Sequence, residues 1–200
     1  MIITHQGQTP QIDPTAWVAP DATLCGAVSV GPGARIMHGA RVIGEGGGRV
    51  SIGAEVILYE NTVIRATARN DCTIGPNCLI APQVHITGAV IEGECYIATG
   101  AVILPQAHLG RRCEIRIGGV VHLRTRLPEF AIVPNYWIAL GDPVEILPPD
   151  QHDSIWARQK AMDYPRAVFG VDRYAPDVMV TLTHGLSEEL APHVDDVILS

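Results

Sequence analysis

Six side chains of this 200-residue sequence have the types and spacing to do chemistry: His38, Tyr59, Glu60, Arg65, His85 and Thr87. Arginine carries a permanent charge on a planar fork of donors, which matches a carboxylate two bonds at a time. Arg65 is therefore the candidate seat for a small anionic or carbonyl compound, with Thr87 and His38 beside it. Glu60 and Tyr59 lie just upstream as acid or base. His85 adds an imidazole whose ordinary titration falls near neutrality, the range a general base needs. Each residue also has a plainer role open to it. Arg65 can pair with a carboxylate at a subunit seam, Glu60 across a corner being the near one, and His85 and His38 can be solvated corner residues.

Positioning these groups falls to an unusual periodicity. Aliphatic residues recur every six positions: Leu24, Val30, Ile36, Val42, then Ile52, Leu58, Ile64, then Ile74, Ile80, Ile86. After a one-residue contraction come Ile91, Ile97, Ile103, Leu109, Ile115 and Val121. Four places after most of these stands a small or β-branched residue, such as Ala34, Ala40, Val56, Thr62, Val84 or Ala101. Neither a helix nor an ordinary strand has a period of six. A coil of short strands and tight corners does, and three hexads make one triangular turn. Ile64 and Ile86 then share a face one coil apart, so Arg65 and Thr87 are expected to stack. Gly31, Gly53, Gly75 and Gly110 follow inward aliphatics and are expected to tolerate close or left-handed corners.

Composition narrows the function. Apolar residues make up 47% of the chain but aromatics only 5%, which suits a narrow prism filled with Ile, Val and Ala. A net charge of −7 argues against nucleic acid, whose phosphates need a basic stripe. No apolar run reaches membrane-spanning length, no secretory leader is read at the start, and a cytoplasmic location is expected. Of the five cysteines, Cys78, Cys95 and Cys113 each sit four places after an inward aliphatic residue and are expected to stack as small buried hydrophobes. Cys25 and Cys72 have no CxxC spacing. Gly46–Gly48 lacks the Lys–Ser/Thr of a phosphate loop.

Three segments are expected: a lead-in at 1–16, the repeat at 17–147, and a helical segment with a tail at 148–200. Gly44–Arg49 and Arg65–Asp71 interrupt the hexads in successive coils and should extrude loops on one face. Asp150 is the expected cap of a helix over about 151–163, ended by Pro165. A weaker helix over 177–184 is expected to stop at Gly185, and the tail beyond Leu190 to be loose.

The repeat register, the corners and the closing phrase Ala139–Leu140–Gly141–Asp142–Pro143 resemble the γ-class carbonic anhydrases of the hexapeptide-repeat superfamily, over about residues 15–165. The resemblance implies an all-β solenoid, a single-stranded left-handed parallel β-helix with a C-terminal α-helix. It also implies a homotrimer with active sites between protomers, where three histidines hold zinc and carbon dioxide is hydrated. Carried residue by residue, the three ligand positions become Arg65, Pro82 and Thr87. The family's arginine before Gly–Asp becomes Ile43 before Gly44–Glu45, and its Gln–Asp pair becomes Tyr59–Glu60.

Proline has no ligand atom, a neutral hydroxyl binds zinc poorly, and arginine stays protonated. A guanidinium about 4 Å from a divalent ion is repelled by on the order of 8 kcal/mol at an effective dielectric near 20. No zinc of the family's kind, and no other cofactor, is therefore expected, although a rearranged set of His38, His85 and Glu60 stays open. His122 follows Val121 on the Arg65 face and reads as a surface or interface residue, and His108 as a corner residue. Three functions remain: binding or non-hydratase turnover of a small anion or carbonyl compound at Arg65, a non-catalytic trimeric assembly module, and an acyltransferase using an acyl thioester.

Overall fold

A computed structural model describes residues 1–199. The chain is a parallel β-solenoid of about eight turns with short helices at its C-terminal side. Two faces are seven-stranded parallel sheets and the third is a ten-stranded sheet. Along this long sheet, Val42 pairs with Ile64 and Ile64 with Ile86, 22 residues per turn. Ile86 then pairs with Ile103 after 17, and Ile103 with Val121 after 18. The two 22-residue turns hold the inserted loops, and the 17-residue turn holds the contraction.

Inward positions form one continuous core. Leu58, Ile64, Ile80, Ile86, Ile97, Ile103, Leu109 and Ile115 are all fully buried. The small partners Ala34, Ala40, Val56, Val84, Ala101 and Ala107 are buried beside them. Cys78, Cys95 and Cys113 stack as expected, with the Cys95 amide donating to Cys78 Sγ at 3.4 Å. Their thiols point to the carbonyls of Glu92, Gly110 and Pro128 at 3.2–3.3 Å.

The corners divide their work between two positions. The glycines after inward aliphatics are needed for close approach: a Cβ on Gly53 would lie 2.8 Å from the Gly75 carbonyl carbon. Left-handed backbone falls two places later, at Glu55, Asn61, Asn77, Gln83, Glu94 and their successors, with φ of 56–64°.

The lead-in belongs to the solenoid. Ile2–Thr4 pairs with Thr23–Gly26 in the long sheet, and Gln11–Ile12 with Val28–Val30. At the other end Ile138–Leu140 turns back into an antiparallel strand, Glu145–Leu147. Helix α1 spans His152–Met162. Its N-cap is Gln151, with no side-chain bond, so Asp150 does not cap it. Ile155 is buried beneath α1, whereas Trp156 remains 46% exposed. α1 ends before Pro165, as expected, and Pro165 opens a wide helical turn, Pro165–Phe169.

Helix α2, Val178–Leu190, runs straight through Gly185, where nothing lies within 4 Å of the missing Cβ. The tail is not loose. Ala191–Asp195 makes a tight helical turn, and Val197–Ile198 pairs antiparallel with Ile2–Thr4. The C-terminal segment therefore reaches from one end of the long sheet to the other. No helix among the described residues is long and apolar enough to cross a membrane.

Candidate functional site

On the long sheet, alternate side chains leave the core. One outward row, in hydrogen-bonded register, reads Ile3, Cys25, Ile43, Arg65, Thr87. Arg65 and Thr87 are thus direct neighbours, as the hexad count requires. His85, two places before Thr87, shares their face, and its Nε2 lies 2.8 Å from Thr87 Oγ1. Burial, and then the nearby Arg65 charge, lower the His85 pKa below its ordinary 6.5. The imidazole is therefore neutral at pH 7 and able to accept a proton.

This face is roofed by the chain's own C-terminal segment, with Tyr164, the Pro165–Phe169 turn and α2 over the sheet. Between roof and floor lies a cavity of about 620 Å³. Arg65, His85 and Thr87 line its floor, while Val168, Phe169, Val171, Leu182 and Leu186 give it apolar walls. Both inserted loops reach it through Glu45–Gly46 and Thr67–Arg69. Their stacking is tight, since a Cβ on Gly48 would lie 2.2 Å from the Thr67 carbonyl oxygen.

Arg65 is already engaged. Its Nε donates to Glu45 Oε1 at 2.8 Å, and its Nη2 bonds the same oxygen. The expected partner was Glu60, but the inserted loop brings Glu45 to the outward row instead. Arg69 is the exposed cation of the cavity, its guanidinium beside Gly170.

The remaining candidates lie elsewhere. Tyr59 follows the strand Ile57–Leu58 on a different sheet and is 37% exposed. Glu60 and Pro82 are corner residues outside the cavity lining, with the Glu60 carbonyl accepting from the Gln83 amide. His38 is solvated, bonding Asp21 Oδ1 at 2.7 Å and standing edge-on to Trp17. His38, His85 and Glu60 therefore do not converge on a metal. The reason is geometric: a shared column stacks backbones, yet corner side chains splay outward while strand side chains reach the roofed face. His122 is no surface group either. It is buried under α1, with Nδ1 3.1 Å from Met162 Sδ. His108 is not a corner residue: it lies on the strand His108–Leu109, its Nε2 3.3 Å from Glu92 Oε1.

The state of His85 gives a direct check. Its NMR titration midpoint is expected below 6.5. Arg65→Gln should move it upward by only part of the shift, because burial is the larger cause. A midpoint at or above 6.5 in the unaltered protein would contradict the partly buried placement of His85 beside Arg65.

No protein-family model matches the chain. It is 25% identical over 128 residues to the mitochondrial γ carbonic anhydrase 2 of Arabidopsis thaliana, covering 61% of this chain and 46% of that one. To a carbonic anhydrase of Geobacillus kaustophilus it is 28% identical over 110 residues, covering 55% and 60%. The chain thus spans about half the length of these relatives. A solved hexapeptide transferase family protein from Anaplasma phagocytophilum superposes with a TM-score of 0.64 at 20% identity, covering 84% of this chain and 95% of that one. That likeness is one of fold. The chain is thus similar in sequence to γ carbonic anhydrases, and its hexad register folds into a solenoid of the hexapeptide-repeat kind.

Proposed function

We propose that the roofed cavity binds a small carboxylate or carbonyl compound, and that the neutral His85 serves it as a base in a reaction other than zinc-dependent hydration. The observation that carries this reading is the cavity itself: it places Arg65, His85 and Thr87 on one floor under apolar walls. Its volume of about 620 Å³ falls within the ordinary range for ligand sites, roughly 300–1,000 Å³. Glu45 neutralises Arg65, so Arg69 meets the anionic end of the ligand, and His85 and Thr87 face its reacting end.

The donor set weighs against the relatives' activity. Arg65, Pro82 and Thr87, at the positions the resemblance gives to zinc ligands, do not fit the metal, and Arg65 and Thr87 are committed to Glu45 and His85.

Assembly as a homotrimer is part of the same proposal. On one seven-stranded sheet the outward row runs Trp17, Arg35, Ile57, Leu79, Tyr96, Glu114, Ile132. Such a largely apolar row favours contact with another copy.

Calorimetric titration with a panel of small carboxylates and 2-oxo acids tests the site. One class should bind, and Arg69→Ala should weaken it about tenfold to a hundredfold, the range of a charge-assisted bond. Arg69→Lys should restore only part, because lysine lacks the fork. His85→Ala should spare binding and abolish turnover. Mass photometry of the same sample should read three copies. If nothing in the panel binds, or if Arg69→Ala leaves the affinity unchanged, the anion site is wrong. A second reading, acyl transfer from a thioester, is favoured by a neutral histidine facing an apolar-walled cavity. His85-dependent transfer from acetyl-coenzyme A would establish it instead.

A further inference from the structure

At the end of the long sheet where the chain begins, four side chains from three separate stretches converge. His5 follows the strand Ile2–Thr4, Cys25 lies on the strand Thr23–Gly26 beside it, and His193 and Asp196 come from the returning tail. One ligand atom from each lies within 4.8 Å of all the others. His5 and Cys25 are only 3% and 4% exposed. The other stacked thiols point to carbonyls within the core, whereas Cys25 stands on the outward row among nitrogen and oxygen ligand atoms. Neither the cavity nor its proposed chemistry uses this cluster.

We propose that His5, Cys25, His193 and Asp196 form a closed tetrahedral site for a borderline-soft divalent cation of the zinc class. Tetrahedral zinc with N, O and S donors at roughly 2.0–2.3 Å sets its ligand atoms between about 3.3 and 3.8 Å apart. The widest separations, at most 4.8 Å, have to close by up to about 1.5 Å, and the 2.6 and 2.8 Å contacts of Asp196 with the imidazoles have to open, both within reach of side-chain rotation. Two imidazoles and a thiol select against magnesium and calcium, which prefer oxygen.

The surroundings are those of a ligand shell. His5 Nδ1 and His193 Nδ1 converge on the two oxygens of Asp196 at 2.6 and 2.8 Å, and the two rings stack with centroids 4.1 Å apart. On its far side His193 Nε2 meets Glu45 Oε2 at 3.0 Å. A carboxylate there orients a ligating imidazole, and its other nitrogen, Nδ1, now bonded to Asp196, is the one that turns to the ion. Arg65 in turn holds Glu45, so the site is braced against the cavity floor.

With all four positions filled by protein, the ion is structural and pins the tail to the first turn. Binding breaks the S–H bond of Cys25, forms the sulfur–metal bond and releases the proton to solvent.

The test uses the full chain without an affinity tag, stripped by chelator and titrated with Co²⁺, then with Zn²⁺ in competition. One ion per chain is expected, with the intense visible bands of tetrahedral cobalt and a thiolate-to-cobalt charge-transfer band in the near ultraviolet. Cys25→Ser should abolish the charge-transfer band. Asp196→Asn, which keeps the shape, should lower cobalt affinity at least about tenfold, and Glu45→Gln by about 10–100-fold with the spectrum retained. Far-UV circular dichroism checks that each variant keeps the solenoid. Absence of stoichiometric binding overturns the proposal, as does a charge-transfer band that survives Cys25→Ser, or an affinity unchanged by Asp196→Asn. None of these outcomes depends on what occupies the cavity.

Discussion

Ile86→Ala is expected to lower the free energy of unfolding by about 2–5 kcal/mol, the range for emptying a fully buried aliphatic position. Ile86 has no exposed surface and stacks between Ile64 and Ile103 in register. Collapse around the lost atoms is the usual relief, and here it is blocked. The neighbouring backbones are tied by ladder hydrogen bonds to the turns on either side, with the His85 amide on the Ala101 carbonyl and the Gly88 amide on that of Arg65. Urea unfolding should show a lower midpoint with an unchanged slope. A loss below about 1 kcal/mol would mean that the prism is more compliant than its ladders imply. Since each turn contacts only its neighbours, amide exchange should quicken first in Val63–Arg65 and Val102–Ile103.

The second large effect is expected at Gly26, where alanine should cost on the order of 3 kcal/mol or more. Two independent penalties meet there. Its φ of 74° lies in the left-handed region, which costs a residue with a Cβ about 1 kcal/mol or more. A Cβ would also lie 2.1 Å from the Gly44 carbonyl oxygen, so the backbone of the next turn has to move. His5 Cβ is 3.5 Å from the same point, and the displacement would reach the cluster of His5, Cys25, His193 and Asp196. Gly47→Ala is the matched control. It too has positive φ, at 92°, but nothing lies within 4 Å of its Cβ position. Thermal unfolding of the two variants separates crowding from backbone strain, and equal losses would show that crowding at Gly26 contributes nothing.

Much of this architecture is written in the spacing of a few residue types. A period of six assigns every inward aliphatic residue, and from it follows the pairing of Arg65 with Thr87, because ladder register passes from core residues to their outward neighbours. The inserted loops announced themselves as breaks in the count. What spacing does not carry is the direction of side chains in those loops. Glu45, absent from the hexads, takes the place beside Arg65 that adjacency assigned to Glu60.

The C-terminal segment was the least legible part. Gly185 looked like a stop, but a glycine facing open space costs a helix only about 1 kcal/mol, too little to end α2 there. Val197–Ile198 has too few residues to advertise itself as a strand; it exists because Ile2–Thr4 leaves an edge to pair with. The grouping of His5, Cys25, His193 and Asp196 had no local signature at all. Its members come from three stretches of chain, and only the returning tail assembles them. A mixed set of His, Cys and Asp near both ends of a solenoid is the one signal that was available.

The pairing of Val197–Ile198 with Ile2–Thr4 has a bearing on biosynthesis. His5 meets Asp196 across 191 residues of chain. A solenoid of local contacts can wind up turn by turn as it leaves the ribosome, since each coil needs only the one before it. Its first coil, however, stays open along one edge until a stretch translated long afterwards comes back to close it. A nascent chain halted before Ala191 would therefore carry a wound prism with the Ile2–Thr4 edge still bare.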